Sequence, residues 1–187
     1  IDPGRQRLIV AELGNNSVSV IDLAERKVLN RVSGFREPQG VAYVLGPDLI
    51  YVATAGDGFV RWFKAADFAP AGQLKLGEDA DNIRVDARSN QVMVGYGSGA
   101  LAILDGASGQ MLSEIKLPAH PESFQLHSRG TRVFVNTPDA KQIAVVDRTE
   151  QRQVATWTMK GASRNFRMAF DEDSKLLFVV YRSPPRL

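Results

Sequence analysis

The chain has 187 residues, 44% of them hydrophobic and 24% charged, which is the balance of one folded globular domain and excludes a disordered chain. Its 23 basic and 21 acidic side chains leave a net charge of +2 and are mixed along the sequence, with no Lys/Arg run dense enough for a nucleic-acid arm, so nucleic acid is not the expected partner. Cysteine is absent, which excludes disulfides, thiolate metal sites, thioether-linked haem and a cysteine nucleophile, and no apolar stretch approaches the roughly 18 residues of a transmembrane helix.

In chain order, the first alternating apolar segment, 7–12, predicts a β-strand, and the run at Val20-Ile21-Asp22 a second. A strand is predicted at 39–45, then the turn Gly46-Pro47-Asp48, a strand at 49–54, the turn Gly56-Asp57-Gly58, and strands at 59–64 and 71–76. The pattern repeats through the turns Arg88-Ser89-Asn90, Gly97-Ser98-Gly99 and Asp105-Gly106-Ala107-Ser108-Gly109, and ends on a strand at 175–181. No ten-residue window has a helical period, so helix content close to zero is expected.

These segments recur at a fixed spacing. Leu8-Ile9-Val10, Ile50-Tyr51-Val52, Val92-Met93-Val94, Val133-Phe134-Val135 and Leu177-Phe178-Val179 are centred 42, 42, 41 and 44 residues apart. Val20-Ile21-Asp22, Trp62-Phe63-Lys64, Ile103-Leu104-Asp105 and Val145-Val146-Asp147 keep steps of 42, 41 and 42, and so do Gly40, Asn82, Ser123 and Asn165. Four short antiparallel strands (A to D) per repeat predict an all-β β-propeller, its blades stacked face to face around an axis. A β-sandwich, the plainer alternative, requires no such period.

About four and a half blades are present, as units of approximately 1–38, 39–80, 81–121, 122–163 and a partial 164–187, containing 17 strands. The chain is expected to be part of a larger ring. The alternatives are a small closed four-bladed ring, with 165–170 completing the first blade, and an oligomer that shares strands.

Residues 7–29 (RLIVAELGNNSVSVIDLAERKVL) and 131–157 (TRVFVNTPDAKQIAVVDRTEQRQVATW) resemble the YVTN repeat, and Ile50-Tyr51-Val52-Ala53-Thr54 is nearest to the motif that names it. The segments 79–84, 120–126 and 136–140 resemble the YncE-like branch of that family. The resemblance implies a seven-bladed bacterial propeller, exported to the periplasm or secreted, mostly without assigned chemistry. Related propellers include lactonases and the heavy chain of quinoprotein amine dehydrogenase. Seven such blades need roughly 290 residues on repeat arithmetic.

In a propeller the D–A and B–C connections emerge on one face, where rigidly held loops carry function. The D–A loops are predicted at 33–38, 77–81, 118–122 and 160–164; with the first residues of strand A they present Arg36, Asp81, Asn82, Glu122, Arg164 and Asn165 as ligand-binding candidates. Oxygen-rich Asp79 and Asp81 suit a divalent cation such as Ca²⁺, and with His120 and Glu122 they suit a transition metal. The plainer role for Asp and Asn in such loops is to cap tight turns. His120, ahead of Pro121, and Glu122 two residues on are the candidates for acid–base catalysis, although a lone loop histidine is more often merely exposed. His127 is assigned to the opposite face as structural or solvated. Ser98 lies in a hairpin turn and lacks the elbow of a hydrolase serine.

Arg84 and Arg167 are expected to pair with carboxylates of adjacent blades, and Trp62 and Trp157 to pack between blades. The expected function is a non-catalytic scaffold that binds a protein or small-molecule ligand. The alternative is a lactonase-like, metal-dependent hydrolase, and a third reading is a subunit whose partner chain carries a quinone cofactor.

Overall fold

Consecutive apolar runs pair as neighbours, because the turns between them are too short to place anything else there. A computed structural model describes residues 1–2, 4–161 and 163–186, leaving the side chains of 163, 165, 166 and 186 outside the description. The first sheet holds β1 (Arg7–Glu12), β2 (Ser17–Asp22) and β3 (Lys27–Ser33). Three four-stranded sheets follow: β4 (Pro38–Val44) to β7 (Pro70–Lys75) through β5 (Leu49–Thr54) and β6 (Phe59–Lys64); β8 (Ile83–Asp86) to β11 (Met111–Lys116) through β9 (Gln91–Tyr96) and β10 (Ala100–Asp105); and β12 (Ser123–Leu126) to β15 (Arg152–Thr158) through β13 (Arg132–Thr137) and β14 (Gln142–Asp147). The fifth sheet holds β16 (Ser163–Asp171), β17 (Leu176–Ser183) and the two-residue β18 (Pro185–Arg186). All strand pairs are antiparallel, and the fold is of the β-propeller type.

Strand β18 lies beyond the predicted pattern and gives 18 strands among the described residues, against the 17 expected. Two three-residue 3₁₀ turns, Leu13–Asn15 and Pro138–Ala140, are the only helical turns among the described residues, and both lie in B–C connections. The four-bladed closure does not form: β16 pairs with β17, and among the described residues β1 has β2 as its only sheet neighbour. The C–D ladder of each of the first four blades slips by one residue at the same place, between Val20 and Ile21, Trp62 and Phe63, Ile103 and Leu104, and Val145 and Val146. A bulge of this kind adds local twist.

The core lies between blades. Strand B is apolar on both faces, so β5 is buried along its whole length. Tyr51 stacks on Trp62 at 5.3 Å within one such layer. Phe134 stacks on Trp157, also at 5.3 Å, although 46% of Trp157 remains exposed.

Candidate functional site

The D–A loops and B–C turns do lie together, held by main-chain bonds. Gly97 N–H donates to the Glu78 carbonyl at 2.8 Å, Asp81 N–H to Gly95 at 3.2 Å, Gly95 N–H to Asn82 at 2.8 Å and Glu122 N–H to Asn136 at 3.0 Å. Two glycines allow this closeness. A Cβ on Gly40 would lie 2.1 Å from the Asp81 carbonyl oxygen and 2.8 Å from Ile83 Cγ2, so only glycine lets β4 press on the loop carrying Asp81. A Cβ on Gly95 would come within 2.9 Å of Pro121 Cγ, and the loop carrying His120 and Glu122 rests there in the same way.

The repeat frame explains the side chains that meet. The position just before strand A's marker is Asp81 in one loop and Glu122 in the next, and the position three before it is Asp79 and His120. Stacked blades bring the two loops side by side, and these four residues form one cluster. Asn82 ties it together: its Nδ2 donates to the Glu122 carbonyl at 2.5 Å and to Asp81 Oδ1 at 3.1 Å, while its backbone N–H also donates to Asp81 Oδ1. Asp81 is buried, and its Oδ2 lies 3.6 Å from His120 Nε2. Asp79 Oδ2, on a half-exposed side chain, lies 3.7 Å from His120 Nδ1.

The His120 ring is fixed by the Gly97 carbonyl, 2.7 Å from Nδ1, a contact that places a proton on that nitrogen. The Asp81 carboxylate first, and the Gly97 carbonyl after it, favour the imidazolium more than burial opposes it, and lift His120 to about 9. The neighbouring acids move up from their ordinary values. Glu122 is raised by burial first and by the Asp81 charge next, against the pull of His120 and Arg182. Asp79 is raised by burial and by the Asp81 and Glu37 charges, against His120. No hydrogen bond reaches either carboxylate among the described residues.

Asp79, Asp81 and His120 each offer one ligand atom within 4.8 Å of the others, which is the spacing a metal ion requires. Glu122 is near in charge but is not a member of that trio. Arg36 and Arg164 are exposed, and no described bond brings either to the cluster. The side chain of Asn165 lies outside the described residues. Two acids of the B–C hairpins are engaged locally: Glu12 accepts from Ser17 at 2.5 Å and Ser19 at 2.9 Å, and Asp57 accepts from Arg61 at 2.7 Å.

Arg84 departs from its expected pairing. Its Nη1 donates to the Ile83 carbonyl at 2.8 Å, its guanidinium sits 5.8 Å from the Phe124 ring, and no ion pair to a carboxylate is formed among the described residues. Burial first and the Arg167 charge next lower its pKa. His127 does lie at the other end of the blades, 5.5 Å from the Phe170 ring. Arg182, which bears on Glu122, and the Gly97 carbonyl were not candidates. Arg182 lies one residue past the predicted strand, and a backbone acceptor leaves no side-chain signal.

Neither a protein-family model nor a curated protein matches this sequence. Among solved structures the chain is similar to Kuenenia stuttgartiensis hydrazine synthase, at a TM-score of 0.85 and 17% identity. What is shared is the fold. The match covers 94% of this chain and 52% of that one, so the chain spans about half the length of the structure it resembles.

Proposed function

We propose that this chain is a non-catalytic, extracytoplasmic propeller scaffold of the YncE-like kind, which binds a ligand at Asp81, Asn82, His120 and Glu122 on its loop face. The supporting observation is that two adjacent D–A loops are pressed onto glycines so that the Asp79 and Glu122 carboxylates, without a hydrogen-bond donor among the described residues, are held beside Asp81 and His120. Preorganised, partly buried acids favour a cationic or hydrogen-bond-donating group, on a small molecule or on a protein surface. Catalysis by His120 as a base is disfavoured, since a group lifted to about 9 is protonated at neutral pH.

Thermal shift with simple amines, guanidines and divalent ions tests this reading. A compound that raises the melting temperature of the wild type but not of Asp81→Asn supports it. Shifts indifferent to both Asp81→Asn and Glu122→Gln defeat it.

The second reading, a divalent-metal hydrolase acting on lactones, is favoured by one detail. Anchoring Nδ1 on Gly97 leaves Nε2 facing Asp81, the arrangement that outer-shell bonds impose on a metal-ligating histidine. The metal would have to displace a proton held with a pKa of about 9, a roughly hundredfold handicap at pH 7. Zinc and calcium titrations at pH 7 and pH 9, beside a lactone hydrolysis assay, separate the two readings. Near-stoichiometric metal and hydrolysis lost in Glu122→Ala establish the enzyme, and absence of both leaves the scaffold.

A further inference from the structure

One group of side chains recurs on the same face of the B–C hairpin and strand D, and in the first two blades an arginine completes it. In the first blade Arg31 Nε lies 3.1 Å from Glu12 Oε2. In the second, Arg61 pairs with Asp57 at 2.7 Å, donates to Thr54 Oγ1 at 3.0 Å and lies 4.6 Å from the Phe59 ring.

The third blade keeps the positions and changes the residues. One repeat on, Phe59, Arg61 and Gln73 become Ala100, Ala102 and Glu114. The ladder pairs correspond, Arg61 facing Gln73 in one blade and Ala102 facing Glu114 in the other, so this pair has lost a guanidinium and gained an acid. Ala100 forms part of the wall of a cleft of about 400 Å³, with Tyr96, Glu114 and Lys116 of the same blade and Glu78 of the loop that enters it. The blades on either side, β4–β7 and β8–β11, both have their four strands, so the cleft belongs to the interior of the row. The Tyr96 hydroxyl donates to Glu114, and no other donor reaches that carboxylate among the described residues. Burial first, and the bond to Glu114 next, raise the Tyr96 hydroxyl to about 12, so it stays a donor and the charge stays on Glu114. Lys116 forms no ion pair among the described residues, and two acids against one lysine leave the cleft negative.

We infer that this cleft binds a guanidinium from outside the chain, held by Glu114 and the Tyr96 ring as Arg61 is held by Asp57 and the Phe59 ring in the second blade. A guanidinium is the occupant because the sister blades supply one of their own to the same group of positions. Its planar, delocalised charge suits a carboxylate and an aromatic face together. The cleft adjoins the Asp81 cluster at Gly97, whose carbonyl holds His120, but it does not rest on the function proposed for that cluster. The guanidinium comes either from a free small molecule or from an arginine side chain of a partner protein.

NMR titration with ethylguanidine and with a capped Gly-Arg-Gly peptide tests this, read at the amides of Gly99 and Ala100. Glu114→Gln should weaken binding about fivefold, the worth of an exposed ion pair, and Lys116→Gln should tighten it by removing a competing cation. Both residues are exposed, so the variants should keep the fold. Asp81→Asn should leave the affinity unchanged. A peptide that binds at least as tightly as ethylguanidine assigns the guanidinium to a partner chain, and binding of ethylguanidine alone assigns it to a small molecule. Failure of both probes to shift these amides overturns the inference. So does an affinity that Glu114→Gln leaves equal to the wild type, that Lys116→Gln weakens, or that is lost in Asp81→Asn, which would put the cation on the other cluster.

Discussion

At the turns opposite the D–A loops, aspartates are supplied with donors. Asp105 accepts from the N–H groups of Ala107 and Ser108 at 3.1 and 2.7 Å, and Asp147 from those of Thr149 and Glu150 at 2.9 and 3.1 Å. These bonds, from Ser108 and from Glu150 foremost, hold both carboxyls below the ordinary value. At the D–A end, Asp79 and Glu122 have no such donors among the described residues and are pushed up by burial. The turn-capping role suggested for acidic loop residues is thus carried out by Asp105 and Asp147 and is not taken up by Asp79 and Glu122 among the described residues. Acids that build the fold have their hydrogen bonds already, whereas acids held without them stay open to something from outside.

The largest expected effect tests the structural end. Arg148 pairs with Asp86, both nearly buried, and also donates to the His127 carbonyl at 2.9 Å. Arg148→Ala is expected to cost roughly 3 kcal/mol, the lower end for a broken buried pair, because Asp86 loses its charged partner but keeps the Arg88 N–H and the Ser89 hydroxyl as donors, and urea unfolding measures it. Gly40→Ala should cost about 1–3 kcal/mol by forcing β4 off the Asp81 carbonyl. It should also abolish any ligand-induced thermal shift, which Arg148→Lys should leave intact.

The two ends should respond to opposite ends of the pH scale. His120 is raised from 6.5 to about 9, so its contribution to stability is whole below about 6.5 and is lost as pH rises through about 9. Asp147 is lowered from 3.8, so its contribution is present above that value and is lost as pH falls through the depressed one. An NMR titration should place the His120 ring midpoint near 9, and His120→Gln should flatten the alkaline limb of the stability curve without altering the acid limb. An ordinary midpoint near 6.5 would remove the electrostatic half of the comparison. The smallest effect has the opposite sign to the first: Glu122→Gln relieves an uncompensated acid and should raise stability at pH 7 by less than about 1 kcal/mol, given solvent screening.

The blade pattern was legible because period-2 alternation and turn residues act locally; β5 and β6 occupy the very residues assigned to them. Strands β4 and β7 begin one residue before the predicted start. The bulge in each C–D ladder was not visible, since it follows from backbone twist and has no residue signature. The repeat frame also put Asp79, Asp81, Asn82, His120 and Glu122 on neighbouring loops, which was enough to nominate the cluster. It was silent on distance, and so on the exclusion of Arg36 and Arg164. One clue was available and unused: Gly40 is the glycine in a column otherwise filled by Asn82, Ser123 and Asn165, and its lack of a side chain marks the backbone approach that positions Asp81. Charge alone misassigned Arg84, because a guanidinium donates to a carbonyl as readily as to a carboxylate.

The blades also stand in a row, each in substantial contact only with its neighbours. Such a row behaves like a one-dimensional lattice, in which a unit braced on both sides must lose two contacts to open. The blade of β8–β11 is braced in this way, by the blade of β4–β7 on one side and that of β12–β15 on the other, so amide exchange should be slow in β9 and β10. The loops carrying Asp81 and Glu122 enter and leave that blade. The lifetime of the site is therefore set by a unit that opens only when both contacts are lost.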